Sequence, residues 1–161
     1  MISYLRSFYY FFHQFIYLIT LRDDIVLVDL DFTLFDNYKL IKNFPKEDFY
    51  SLNIELNDVV KNEICKYSKK NIYIFTARGS INSQKTIRQL KILDFKNYNK
   101  ILFIGKTEYK FFFLKMNDLF FKKRIILYDD FQDYNFKTAK LTPKSPPEFI
   151  YTNHINPINL K

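Results

Sequence analysis

Two aspartates stand two residues apart at the end of an aliphatic run, in the stretch IVLVDLDFTLF. Ile25–Val28 contains only branched aliphatic residues, which is typical of a strand buried on both faces, and Asp29 and Asp31 follow it. Buried carboxylates are costly unless positive charge neutralises them. The pair therefore predicts a site at the strand's end that holds a metal ion or an ammonium group.

Three further aliphatic runs are also followed by hydroxyl, basic or acidic side chains: Thr76 and Arg78 after residues 71–75, Lys106 and Lys110 after residues 101–104, and Asp129 and Asp130 after residues 124–128. In an open parallel sheet, ligands bind beyond the carboxyl ends of the strands. If these runs are parallel strands, we expect the side chains that follow them to meet at one edge of the sheet.

The segments between these runs have the apolar spacing of helices, over residues 55–69, 82–93 and 107–120. In the second of them, Ile87, Leu90 and Leu93 are expected to face the core. Strands that alternate with helices predict an α/β fold, a three-layer sandwich with a central parallel sheet. Residues 148–152 are expected to add an edge strand.

The side chains at the strand ends are sufficient for phosphoryl transfer through a covalent aspartyl phosphate. One carboxylate attacks phosphorus, and a second carries the proton of the leaving group and later of water. Further acids hold Mg²⁺, a cation that prefers oxygen ligands. A hydroxyl and an ammonium group bind the remaining phosphate oxygens. The sequence thus predicts a Mg²⁺-dependent phosphohydrolase.

The same segments resemble the motifs of the haloacid dehalogenase superfamily of phosphatases. VDLDFTLF resembles the first motif, IFTAR the second and ILYDD the fourth, with a lysine before the last strand as the third, all in order within residues 24–135. The resemblance implies that Asp29 is the nucleophile and Asp31 the general acid and base. It also implies that both help to bind Mg²⁺ together with Asp129 and Asp130.

The resemblance further implies that Thr76, Arg78 and a lysine bind phosphate. Lys106 and Lys110 both fit the third motif; the spacing of Lys110, and the hydroxyl-x-Arg second motif, are similar to those of polynucleotide phosphatases, which favours Lys110. If Lys110 lies in a helix's first turn, its charge is unfavourable there. Its removal is therefore expected to lower kcat with little loss of folding stability. The family often has Gly where this chain has Phe32.

The composition points to an anionic partner. The 161 residues include 25 Lys and Arg against 17 Asp and Glu, a formal net charge of +8. Little length remains for a cap domain, and an open site suits a large substrate, so phosphorylated nucleic acid ends are favoured over small metabolites. The alternative is a non-catalytic subunit of a nucleoprotein or membrane-associated assembly that has kept the fold.

Residues 1–23 are interpreted as an apolar helical extension of a phosphatase domain at residues 24–161. Its uncharged part, residues 7–21, is shorter than the roughly 20 apolar residues that span a bilayer. Packing on the domain, contact with a membrane surface and docking of a protein partner are all open, with packing or docking favoured. The single cysteine, Cys65, excludes an internal disulfide and is typical of a reducing, intracellular compartment.

Overall fold

The structure, a computed structural model, describes residues 2–20, 25–44, 46, 48–117, 120, 124–129, 149–152 and 156–159. Its elements follow in the order α1 (Ile2–Thr20), β1 (Ile25–Val28), α2 (Asn37–Asn43), α3 (Asp58–Ile64), β2 (Ile72–Thr76), α4 (Ser83–Ile92), β3 (Lys100–Phe103), α5 (Thr107–Met116), β4 (Ile125–Asp129), β5 (Phe149–Thr152) and β6 (Asn156–Asn159). The strands form one sheet in the order β3–β2–β1–β4–β5–β6.

The centre of this sheet is parallel. β1 pairs in parallel with β2 on one side and with β4 on the other, and β3 extends the parallel part beyond β2. β5 and β6 continue the sheet in antiparallel fashion beyond β4. The predicted α/β fold with a central parallel sheet is therefore confirmed. The strand predicted at residues 148–152 is confirmed as β5, but its predicted place at the sheet's edge is wrong, because β6 pairs with the outer side of β5. Asn and Pro make β6 a weak strand signal in the sequence.

The parallel strands are buried on both faces, as their aliphatic composition requires. Side chains alternate along β1, so that Val26 and Val28 enter one core cluster while Ile25 and Leu27 enter the other. α2, α3 and α4 contribute buried side chains to the first cluster, and α1 and α5 to the second. Helices therefore cover both faces of the sheet.

The amino-terminal helix α1 takes part in this packing. Phe15 and Leu18 are buried in the second cluster, and the Phe15 ring meets the edge of Phe113 on α5 with centroids 5.8 Å apart. Packing of this helix on the domain is thus confirmed for these side chains, while docking of a partner stays a prediction. None of the described helices is both long and apolar enough to cross a membrane.

Helix α4 buries two polar side chains beside the apolar residues expected to face the core, and Leu93, just after the helix, packs against the core. Leu90 is buried as expected, but Ile87 is 37% exposed, whereas Thr86 and Gln89 are fully buried. The polar pair is buried because both side chains accept hydrogen bonds from the buried Arg78. The apolar pattern could not reveal this, since it ranks a helix face by hydrophobicity and not by polar partners.

The strand order reverses direction at β1. β2 and β3 follow β1 on one side of it, and the chain then returns to place β4 on the other side of β1. The carboxyl ends of β1 and β4 therefore flank a topological switch point, where open α/β sheets bind their ligands.

Candidate active site

A buried lysine joins two aspartates at this switch point. Asp29 directly follows β1 and Asp129 ends β4, and the register that pairs Val28 with Tyr128 makes the two aspartates neighbours. Lys110, on α5, donates from Nζ to Oδ1 of Asp29 at 2.5 Å and to Oδ2 of Asp129 at 3.0 Å. The three side chains form a single buried ion cluster.

The charge of Lys110 is maintained by these two partners. The lysine is 1% exposed, and burial alone would lower its pKa, but the charges and hydrogen bonds of Asp129 and Asp29 outweigh that effect and raise the pKa above its usual value. In these contacts one ammonium group faces two carboxylates. Lys106, in contrast, is exposed, with its Nζ 5.9 Å from the centroid of the Tyr109 ring.

The loop after β1 holds a backbone conformation that side chains rarely adopt. Phe32 has φ +63°, in the left-handed region that favours glycine. Its backbone N–H donates to Oδ1 of Asn37 at 2.6 Å, which fixes the turn from the neighbouring helix α2. Phe32 therefore occupies a position where the backbone has a positive φ, which Gly would adopt without strain.

A second ion pair lies beside the first cluster. Arg78 donates from Nε and Nη2 to the two carboxylate oxygens of Asp31, at 2.8 and 2.6 Å. Nη1 donates to Oγ1 of Thr86 and to Oε1 of Gln89, and Nη2 also donates to the carbonyl oxygen of Phe49. These contacts use all five guanidinium N–H groups. A phosphate contact by Arg78 stays a prediction, and it requires one of the five bonds to be exchanged.

Thr76 occupies the end of β2, next to β1. Its side chain is buried, and Oγ1 accepts the backbone N–H of Arg78 at 3.1 Å. The hydroxyl thereby shapes the turn that directs Arg78 toward Asp31. A hydroxyl that accepts this bond still has one hydrogen to donate, and a phosphate contact by Thr76 stays a prediction.

A short backbone segment, residues 48–53, contacts Arg78 of the second ion pair, and we call it the strap. Nε2 of Gln89 donates to the carbonyl oxygens of Phe49 and Ser51, at 2.9 and 2.7 Å. The Tyr50 ring lies 4.6 Å from the guanidinium carbon of Arg78, and the Phe49 ring meets Phe32 with centroids 5.4 Å apart. The strap is thus fixed to the site by both hydrogen bonds and rings.

The carboxylates of Asp29 and Asp129 suit Mg²⁺ by their chemistry, since both are hard oxygen donors on adjacent strand ends. Within the described ranges no three His, Cys, Asp or Glu side chains form a metal-binding group. Asp31 is held by Arg78, and Asp130, the remaining predicted ligand, lies outside the described residues. The donor set that the structure describes therefore fits the metal with two of its four predicted ligands.

The structure brings the predicted side chains together in two groups. Asp29, Lys110 and Asp129 form the first group. Asp31 and Arg78 form the second, and Thr76 accepts the backbone N–H of Arg78.

Sequence reasoning missed Asn37, Thr86 and Gln89, which orient the groups around them. A signal for the last two existed: Thr86 and Gln89 are polar residues three apart, on the helix that follows the strand carrying the Arg78 motif.

By its described residues the chain is an α/β protein with a cluster of charged side chains at the carboxyl edge of a parallel sheet. Comparison with protein-family models, curated proteins and solved structures finds no match for it.

Proposed function

We propose that this protein is a Mg²⁺-dependent phosphomonoester hydrolase of the haloacid dehalogenase type, acting through an aspartyl-phosphate intermediate. The observation that carries the proposal is the buried Lys110, which holds Asp29 and Asp129 together at the switch point of the sheet. A lysine sequestered between two carboxylates at a ligand-binding edge has a clear use in steadying an anion. A buried ion pair is often no more stabilising than apolar residues of similar volume, so the stability of the fold gives little reason to bury these three charges.

In the first step an oxygen of Asp29 bonds to phosphorus while the bond from phosphorus to the leaving oxygen breaks. Asp31 takes up a proton from solvent before this step and gives it to that leaving oxygen. Water then attacks phosphorus, Asp31 accepts the water's proton, and the bond between Asp29 and phosphorus breaks to restore the carboxylate. Lys110, whose ammonium already contacts Asp29, balances the negative charge of the phosphoryl group during both transfers. The hydroxyl of Thr76 donates a hydrogen bond to a phosphate oxygen.

Asp29 and Asp129 would hold Mg²⁺, with Asp130 as the further ligand expected from the sequence. When bound, the metal neutralises phosphate oxygens and makes phosphorus more electrophilic.

The described part of the chain supports a large substrate. The segment between β1 and β2 contains α2 and α3, whose Leu40, Val60 and Ile64 are buried in the core beneath the sheet. These helices are therefore used to cover the sheet, and the strap is the element beside the site. A site bordered by a strap suits a substrate that supplies its own cover. Together with the net charge of +8, this favours phosphorylated nucleic acid ends.

The second candidate is a non-catalytic subunit of a nucleoprotein or membrane-associated assembly, and one observation favours it. The N–H groups of Arg78 are all used by protein acceptors, and two of them hold Asp31. A carboxylate held in this way serves the fold without any reaction. The two candidates differ in whether the protein releases phosphate from a substrate in a reaction that needs Asp29.

The test is phosphate release from an aryl phosphate and from 3′- or 5′-phosphorylated oligonucleotides, with Mg²⁺ and with EDTA. We expect release that requires Mg²⁺ and falls by about three orders of magnitude or more in Asp29→Asn. Asp94→Asn is the matched control, because it makes the same chemical change at an exposed carboxylate. Equal turnover by the Asp29 variant and the control would rule out the covalent mechanism.

A further inference from the structure

Gln89 is a buried amide with a partner for each of its polar groups. It is fully buried on α4; Oε1 accepts from Nη1 of Arg78 at 2.6 Å, and Nε2 donates to the carbonyl oxygens of Phe49 and Ser51. A primary amide has two N–H donors, and here both contact the strap. Gln89 therefore links Arg78 on one side to the strap on the other.

Arg78 transmits this link to Asp31. The guanidinium is planar and rigid, so the two N–H groups that hold Asp31 cannot turn without moving the N–H groups that contact Gln89 and Phe49. Thr86 shares Nη1 with Gln89 but makes no hydrogen bond to the strap. Among the described side chains that accept from Arg78, Gln89 is thus the one that also binds the strap.

We infer that Gln89 is a positioning residue: it holds Arg78 against Asp31 and couples the strap to that carboxylate. The coupling is a property of the fold, and its meaning for catalysis rests on the proposed function, in which Asp31 carries the proton.

Coupling can be measured without any activity. In Gln89→Met the strap loses both amide donors, so we expect backbone amides of residues 48–53 to exchange with deuterium about tenfold faster or more. The Arg78 Nε–H signal in nitrogen-15 spectra should also broaden, and Arg78→Lys assigns it among the five arginines of the chain. Thr86→Val removes an acceptor of Arg78 but no strap contact, and should leave strap exchange at the wild-type rate.

Two further variants cover the case in which Gln89→Met does not fold and control for the loss of a glutamine. Gln89→Glu keeps an acceptor for Arg78 but loses the donors at neutral pH, so it should release the strap even if Gln89→Met fails to fold. Gln84→Met controls for the loss of an exposed glutamine on the same helix. Unchanged strap exchange in a folded Gln89 variant overturns the inference, as does an equal increase in Thr86→Val.

Kinetics separate this inference from the proposed function. We expect Gln89→Met to lower kcat by about tenfold for an alkyl phosphate, with KM within about twofold, and to affect an aryl phosphate less, because only the poor leaving group needs the proton of Asp31. Equal loss on both substrates overturns the positioning role. If the wild-type protein has no phosphatase activity, the proposed function fails, whereas strap exchange still decides whether Gln89 couples the strap to Arg78.

Discussion

Replacing Lys110 with Met tests whether the buried ion cluster is as the structure describes it. Met keeps most of the side-chain length and removes the ammonium, so Asp29 and Asp129 would remain buried and face one another without it. Removing one partner of a buried ion pair costs about 3–5 kcal/mol. A domain of this kind has a free energy of unfolding of roughly 5–15 kcal/mol, so roughly a fifth or more of it would be lost. The sequence had suggested little loss, because it could not reveal the burial.

The assay is urea unfolding at neutral pH, followed by circular dichroism, with the exposed Lys106→Met as the matched control. With a slope of about 2 kcal/mol per M, the midpoint should fall by about 2 M in Lys110→Met. The control should stay within about 0.5 kcal/mol of wild type.

The pH range of the assay follows from the pKa of Lys110. Burial alone would lower this pKa, but Asp129 and Asp29 raise it above its usual 10.5 in the folded state. The stabilising contribution is therefore complete below pH 10.5 and is lost only as pH rises through the folded-state pKa. The contribution of Lys110 to wild-type stability should thus be constant between about pH 7 and 9. A loss below about 1 kcal/mol in Lys110→Met would refute the buried cluster, since it would match an exposed lysine.

Three other outcomes are expected. Phe32→Gly should be more stable to urea than Phe32→Ala by about 1 kcal/mol, because a left-handed backbone penalises Ala; the usual order, Ala above Gly, would show that the strain at φ +63° is not real. Mg²⁺ should raise the Tm of Lys110→Met more than that of wild type, since a divalent cation can replace the lost ammonium between the carboxylates; equal shifts in scanning calorimetry would speak against a metal at Asp29 and Asp129. Asp31→Asn should slow hydrolysis of an alkyl phosphate far more than formation of the phospho-enzyme from an aryl phosphate, and a rapid-quench measurement with equal losses would indicate a different role for Asp31.

The parallel core of the fold could be predicted because its signals are local. An unbroken aliphatic run such as Ile25–Val28 specifies a strand buried on both faces, and the observed β1 has the predicted bounds. Lys110 contacts Asp29 and Asp129 in the structure. The preference for it over Lys106 came from the likeness of its spacing to that of polynucleotide phosphatases, and its role in binding phosphate stays a prediction. β6 escaped prediction because its pairing depends on β5 and not on its own propensity.

The environment of Arg78 could not be predicted from spacing. Two of its acceptors lie 47 and 29 positions before it along the chain, and two lie 8 and 11 positions after it on one helix. The strap supplies a carbonyl oxygen that any residue type offers. No residue pattern encodes a backbone acceptor, so the saturation of the guanidinium becomes visible only in three dimensions. The positive φ of Phe32 could not be predicted either, because Phe gives no sign of a positive φ, whereas Gly at that position would have indicated one.

The central place of β1 in the sheet has a consequence for synthesis on the ribosome. β1 is the first strand made, but its partner β4 emerges some hundred residues later, which takes on the order of ten seconds. Lys110 itself follows Asp29 by 81 residues. During that interval the nascent chain exposes one unpaired edge of β1, and Asp29 lacks its buried cation. Chains that stop before residue 125 are therefore expected to aggregate through that edge, and the complete charge cluster forms only when β4 docks.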